Sequence, residues 1–392
     1  MNYYQDIFSV RPYLKDFDFS RIESAAYVID LEALERNLKI LDSVQYKSGA
    51  KILLALKGFA NYSTFPLIKK YLHGCCASSP YEARLAREEF GKEVHSFAPA
   101  YSQLDIDEHL KLCDHVVFNS FNQYEKYRNQ LQQTDRKIDI GLRVNPLHSE
   151  TEIELYNPCA SGSRLGILPD HLQSKDLSGI DGLHFHTLCQ KGAAPLARTA
   201  KAFEEHFGEY LHQMKWINFG GGHHITQPDY DLHLLCETVI YFREKYNLEV
   251  YLEPGEAIAV NTGSLVAEVV EVVENDLQIA ILDISATCHT PDVLEMPYRP
   301  EVRGGAEADA KKYTYRLGGL SCLAGDVIGD YSFDEPLVPG KKIILDDMSH
   351  YTTVKTNFFN GISHPSIMLY DPKCDSLQTV RSFSYENYKS KL

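Results

Sequence analysis

The chain has 392 residues, 44% hydrophobic and 24% charged, with a formal net charge of -15. That length exceeds one small core, and the composition excludes a disordered or low-complexity protein. Acidic residues spread along the chain, without clustered Lys and Arg, exclude nucleic acid and anionic membrane as partners and leave a cationic small molecule as the natural ligand class.

Residues 1–9 lack the basic-then-apolar order of a secretory signal, and no run approaches the roughly 18 apolar residues that span a bilayer. Nine cysteines, scattered from Cys75 to Cys374 without a CxxC pair, read as reduced thiols. A cytoplasmic protein is expected.

The opening residues, to about position 30, are too short to fold alone and are expected to join a second domain. From about 26 to 263, short apolar runs alternate with longer amphipathic stretches, the pattern of repeated βα units. Eight runs read as strands: 51–56, 73–78, 94–98, 115–119, 138–144, 180–186, 215–219 and 249–253. Helices are predicted at 31–41, 80–89, 122–132, 195–214 and 232–246. Eight parallel strands with intervening helices predict a closed (β/α)8 barrel. After position 263 the runs 265–273, 277–284, 312–317 and 342–345 are joined by Gly, Pro and Asp turns, so an all-β segment follows. The fold class is therefore α/β plus β.

In such a barrel the active site is built at the carboxyl ends of the strands, so polar residues there carry most information. Lys57 follows the apolar run 52–56. A lysine leaving a buried strand either snorkels to solvent or is used, and desolvation lowers its pKa as Schiff-base chemistry requires. Arg143 ends the fifth run and reads as a surface ion pair or a cofactor contact. The sixth ends His184-Phe185-His186-Thr187-Leu188-Cys189. Alternation puts His184 and His186 on one face, but no further ligands follow at standard spacing, so no metal is expected and a ring-stacking histidine remains.

The seventh run enters Gly220-Gly221-Gly222, where backbone N–H groups can encircle an anion; a plain tight turn is the alternative. Loops after strands seven and eight often hold phosphate in these barrels. The eighth ends Glu253-Pro254-Gly255-Glu256, placing a carboxylate where it would keep a pyridine nitrogen protonated. Together these residues describe a pyridoxal phosphate site at one barrel mouth.

On these motifs the chain resembles the fold-type III pyridoxal-phosphate enzymes, which include the ornithine and diaminopimelate decarboxylases. The resemblance covers nearly the whole chain. It implies Lys57 as the cofactor lysine, His186 stacked on the ring, Gly220 to Gly222 on phosphate, Glu253 on the ring nitrogen, and Arg143 and Gly255 among the cofactor contacts. It divides the chain into a barrel at 30–263 and a β domain formed by 1–29 with 264–392, which contributes to active sites shared across a homodimer.

Ser321-Cys322-Leu323-Ala324-Gly325-Asp326 is similar to the decarboxylase motif, implying that Cys322 protonates the product carbon and Asp326 faces the substrate's distal amine. His350-Tyr351-Thr352 is similar to the segment whose tyrosine binds phosphate, and Phe358-Phe359-Asn360-Gly361 to the loop after it.

The departures narrow the substrate. Where these decarboxylases commonly carry an arginine after Glu-Pro-Gly, this chain has Glu256, and Cys189 replaces an expected serine. With the segment 288–300, the pattern resembles the carboxynorspermidine decarboxylase branch. The resemblance implies a carboxylated polyamine as substrate, with Glu256 and Asp292 as candidate receptors for its ammonium groups. A diaminopimelate- or ornithine-type decarboxylase is the alternative, and a non-catalytic cofactor-binding or regulatory protein the alternative of another class.

Overall fold

In the computed structural model, residues 12–151, 154–173 and 175–392 are described. The expectations placed on residues 1–11 lie outside them. Contact clustering gives two compact units, one of residues 37–258 and one of 12–36 with 259–392.

Strand β1 (Ala26–Asp30) is buried at every position and runs directly into the helix Leu31–Ser48. Asp30 turns the corner: its carboxylate accepts from the N–H groups of Glu32 and Ala33, which begin that helix. The helix is longer than the predicted 31–41, extending to Ser48.

The first unit is a closed parallel barrel of β2 (Lys51–Ala55), β3 (Gly74–Ala77), β4 (Glu93–Phe97), β5 (His115–Phe118), β6 (Asp139–Arg143), β7 (Gly182–His184), β8 (Trp216–Asn218) and β9 (Glu249–Leu252). All eight fall within the predicted runs or one residue from them. Each is short and buried on both faces, which is why the apolar signal is nearly continuous. Barrel closure crowds the interior, and Trp216 fills it: a Cβ on Gly141 or Gly182 would lie 2.4 and 2.1 Å from the indole. Trp216, Leu53, Val117 and Tyr251 form the central packing layer.

The helix Leu232–Tyr246 matches its predicted limits, and Ala193–Leu211 and Phe121–Gln133 lie close to theirs. The predicted helix 80–89 is regular only over Pro80–Leu85, then widens into a π-helical turn, Ala86–Phe90, closed by Gly91 at φ +73°. A helix at Gln103–Leu112, capped by Ser102 and Asp105, lies in a stretch where none was predicted.

The second unit is an eight-stranded sheet. It contains β1, β10 (Gly263–Asn275), β11 (Leu277–Leu282), β12 (Tyr313–Gly318), β13 (Val327–Phe333), β14 (Lys342–Leu345), β15 (Ser366–Asp371) and β16 (Ser376–Arg381). The order is β13-β12-β11-β10-β1-β15-β16, with β14 also on β10. Most pairings are antiparallel; β1 with β15 and β11 with β12 are parallel. A core of Leu265, Ala280, Leu282, Leu317, Tyr331 and Leu345 covers one face. Among the described residues no helix is long and apolar enough to cross a membrane.

Candidate active site

The unit of residues 37–258 holds nine of the site positions that the sequence singled out. Lys57 leaves β2 beside the turn that follows β9: Ala55 N–H donates to Pro254 O at 3.0 Å, and a Cβ on Gly58 would stand 2.9 Å from Gly255 Cα. Gly58 therefore has no room for a side chain, and a Cβ on Gly255 would be tight at 3.2 Å from Gly58 Cα. The Lys57 side chain keeps open surface although its amine is surrounded as an interior group would be. The two facts describe a side chain on the floor of a recess, where the dense surroundings govern its charge. Burial lowers its pKa, with Arg143 acting in the same direction against the nearby Cys76, Glu253 and Glu82. No hydrogen bond or ion pair holds the amine among the described residues, so little opposes its neutral, nucleophilic form.

Glu253, directly after β9, has a buried carboxylate. Burial would raise its pKa, but His184 beside it, at 3.5 Å, and the Asn218 amide, at 2.7 Å, outweigh that and hold it at about 2. The Asn218 side chain also accepts the Gly220 N–H, so one residue ties the carboxylate to the glycine loop.

That loop has little steric freedom. Gly220 and Gly222 adopt φ +68° and +82°, and a Cβ at Gly221 would lie 2.1 Å from Glu253 O. The Gly221 N–H donates to His186 Nδ1 at 3.1 Å, which fixes the tautomer with the proton on Nε2. Burial, reinforced by Lys57 and Arg143, puts the His186 pKa well below its ordinary value, so the ring is neutral. Arg143 donates to His186 O at 2.8 Å and lies 4.6 Å over the Phe97 ring; burial lowers it to about 10 despite Glu253.

Glu256 begins the turn Glu256–Ala259. Gln190 Nε2 donates to its Oε1 at 2.9 Å, and His224 Nε2 stands 3.3 Å from its Oε2. Cys189, at the tip of the neighbouring loop, has its thiol pKa raised by burial and by Glu256.

Three neighbours were not singled out from the sequence. Asn218 is one. Cys76 and Glu82 are the others: Glu82 looks like an ordinary first-turn acid of the helix Pro80–Leu85, yet burial raises its pKa, and its Oε2 accepts the Ser78 N–H at 2.6 Å beside Lys57. A buried asparagine and a buried carboxylate betray themselves only once burial is known.

The remaining candidates belong to the other unit. Cys322 is exposed, and its N–H donates to Asn360 Oδ1 at 2.7 Å. Asp326 is buried, accepting N–H groups from Ala286 at 2.7 Å, Ser321 at 3.0 Å and Thr287 at 3.3 Å. A carboxylate so engaged shapes the loop that carries Cys322 and has little capacity left for a substrate amine, which departs from the role implied by motif. Asp292 is likewise committed, to an ion pair with Lys355, which also binds Glu295. Tyr351 adopts φ +45° ahead of the helix Thr352–Lys355, strained for a bulky residue.

The family model described as "Pyridoxal-dependent decarboxylase, C-terminal sheet domain" matches residues 26–349. This chain belongs to that family. A carboxynorspermidine/carboxyspermidine decarboxylase of Campylobacter jejuni is 45% identical over 94% of this chain and 98% of its own. A carboxyaminopropylagmatine decarboxylase of Synechocystis is 44% identical over 95% of this chain and 96% of its own. The crystal structure of the carboxynorspermidine decarboxylase from Campylobacter jejuni, complexed with norspermidine, superposes with a TM-score of 0.88 at 43% identity, covering 95% of this chain and all of that one. The diaminopimelate decarboxylase of Helicobacter pylori shares the fold at a TM-score of 0.80 but only 17% identity, covering 95% of this chain and 99% of that one.

Pyridoxal phosphate fits the decarboxylase barrel on its own geometry. The glycine loop packs too closely on the neighbouring backbone for any Cβ, Lys57 presents an amine with no hydrogen bond or ion pair among the described residues, and Glu253 is an ionised carboxylate just past the end of its strand.

Proposed function

We propose that this decarboxylase removes carbon dioxide from carboxynorspermidine or carboxyspermidine, yielding norspermidine or spermidine. The carrying observation is Glu256, an anion held by Gln190 and His224 where the ornithine and diaminopimelate enzymes commonly have a cation. An anion there favours a substrate with ammonium groups along its length. The relatives at 45% and 43% identity, one bound to norspermidine, support the same class. The Synechocystis relative favours a second reading, a substrate with a guanidinium tail, which Glu256 would also receive.

When bound, the cofactor supplies the electron sink that lets the Cα–carboxylate bond break. Lys57 would hold it through its amine. His186 would cover one ring face as a neutral imidazole, Gly220 to Gly222 and Tyr351 would receive the phosphate, Arg143 orients His186, and Glu253 would keep the ring nitrogen protonated. Cys322 donates the proton that replaces carbon dioxide at Cα. Its exposed thiol suits a group that serves a site in a second subunit of a homodimer, with the barrel at 30–263 and the β domain of 1–29 and 264–392 as the two contributors. Asp326 holds the Cys322 loop, and Asp292 meets a substrate cation only in competition with Lys355. Nine free cysteines fit a reducing cytoplasm.

The test is release of carbon dioxide from carboxynorspermidine, carboxyspermidine, carboxyaminopropylagmatine, diaminopimelate, ornithine and arginine. The first two are expected to lead; preference for diaminopimelate or ornithine overturns the substrate. Lys57→Ala should abolish turnover, and borohydride reduction should leave a pyridoxyl adduct on Lys57 of the unaltered protein. A missing adduct would favour a non-catalytic or regulatory protein.

A further inference from the structure

Parallel barrel strands are ordinarily apolar inside, yet the amino ends of β4 and β5 carry three titratable side chains facing one another. Glu93 and His95 alternate onto one face of β4, and the strand register sets His95 beside His115 on β5. His95 Nε2 lies 3.0 Å and His115 Nε2 2.8 Å from the same oxygen, Glu93 Oε1. The two imidazoles stack at 3.8 Å with an 11° angle between planes. Their side chains are 1% and 8% exposed, and that of Glu93 is 20% exposed. One donor atom from each of the three lies within 4.8 Å of the others.

We propose that this end of the barrel binds a divalent transition-metal ion of the zinc class through Glu93, His95 and His115. Two imidazole nitrogens and a carboxylate oxygen are a donor set that zinc, cobalt and nickel accept. Zinc bonds of about 2.0–2.1 Å in a tetrahedron place ligand atoms roughly 3.3 Å apart, so the contacts to Glu93 must open by a few tenths of an ångström, and because an imidazole binds along its ring plane one of the two stacked rings must also turn out of the stack. A fourth donor is at hand: His73 Nε2 stands 3.8 Å from Glu93 Oε2 at the half-exposed side of the cluster, which is also the path of entry. Tyr251 OH donates to Glu93 Oε1 at 2.8 Å and orients it.

The role is structural. The ion would tie the starts of neighbouring strands at the end of the barrel away from Lys57, with the layer of Trp216 and Val117 between. Neither buried Nδ1, of His95 or His115, has a partner among the described residues. Lacking that outer support, the site should bind roughly 10–100-fold more weakly than one that has it.

The experiment titrates Zn²⁺ and Co²⁺ into the full-length protein, stripped with chelator and saturated with pyridoxal phosphate. The expected result is one equivalent per chain, visible bands of tetrahedral Co²⁺, and a raised unfolding temperature in Zn²⁺. Glu93→Gln and His115→Ala should lose all three, and His73→Ala should weaken binding roughly 10-fold or more. Should those variants fail to fold, anomalous scattering from wild-type crystals soaked in Zn²⁺ decides. A peak between Glu93, His95 and His115 supports the site. A peak only at His184, His186 and Glu253, which also form a potential donor group, overturns it. So does no binding, which leaves a hydrogen-bonded cluster only.

Discussion

Asn218 donates a 2.7 Å hydrogen bond to Glu253 across neighbouring barrel strands, and it accepts the N–H of Gly220 with its other side-chain atom. The residue proposed for the ring nitrogen and the loop proposed for the phosphate are therefore positioned by the same amide. Glu253→Gln keeps the shape and removes the charge; kcat should fall by about 10²-fold or more with the cofactor still bound. Asn218→Ala should cost about 10-fold or more, the value of a hydrogen bond to a charged group. Steady-state carbon dioxide release and cofactor absorbance measure both, and unchanged kcat in Glu253→Gln would remove the carboxylate from the reaction.

Gly221→Ala tests the phosphate loop. The added Cβ would sit 2.1 Å from Glu253 O, so the loop must move by an amount that overpacking penalises at about 1–3 kcal/mol. The apo-protein should then bind pyridoxal phosphate roughly 10–100-fold more weakly by fluorescence titration, since each 1.4 kcal/mol is about tenfold. Undiminished affinity would place the phosphate elsewhere.

Glu256→Gln tests the substrate cation. The variant keeps the volume and the contact with Gln190 but loses the charge, so KM for the polyamine substrate should rise about 10-fold or more at nearly constant kcat. A fall in kcat with KM unchanged would assign Glu256 to the chemistry instead.

Acid should destabilise the protein below about pH 6.5, where unfolded histidines begin to protonate. Burial lowers His109 to about 4, and His223 and His289 to about 3, so the native state refuses protons that the unfolded chain accepts. Their stabilising contribution is full above pH 6.5 and is lost as pH falls toward 4 and then 3, by up to about 1.4 kcal/mol per pH unit for each histidine. Urea unfolding at several pH values measures the slope. His109→Gln should flatten it by one histidine's share, and stability that rises on acidification would contradict the assignment.

The barrel was legible because each strand is a short run buried on both faces, and the closing glycine loop and Glu-Pro-Gly segment sit at strand ends where topology gives them meaning. The sheet was less legible. Strands β1, β13, β15 and β16 were not predicted; β16 exposes four of its six residues and so carries little hydrophobic pattern. The helix Gln103–Leu112 was hidden because only Ile106, His109 and Leu110 of its ten residues are buried, too few to print a stripe. Within the site, Lys57, His186 and Glu253 were visible as oddities on apolar strands. Asn218 was not, since its importance lies in joining the nearby Gly220 to Glu253 on the next strand, which only the folded barrel brings within reach. Asp326 shows the opposite failure: a motif marks the residue, but only coordinates reveal that backbone amides occupy its carboxylate.

The position of β1 has a consequence for biosynthesis. It is made early, every one of its residues is buried, and it lies between β10 and β15, pairing Ala26 with both Val266 and Ser366. On the ribosome its first flank is covered only when β10 follows the last strand of the barrel, and its second only when β15 is made. A nascent chain arrested before Gly263 exposes an apolar strand with both hydrogen-bonding edges open, the kind of segment that chaperones retain and that aggregates when they do not.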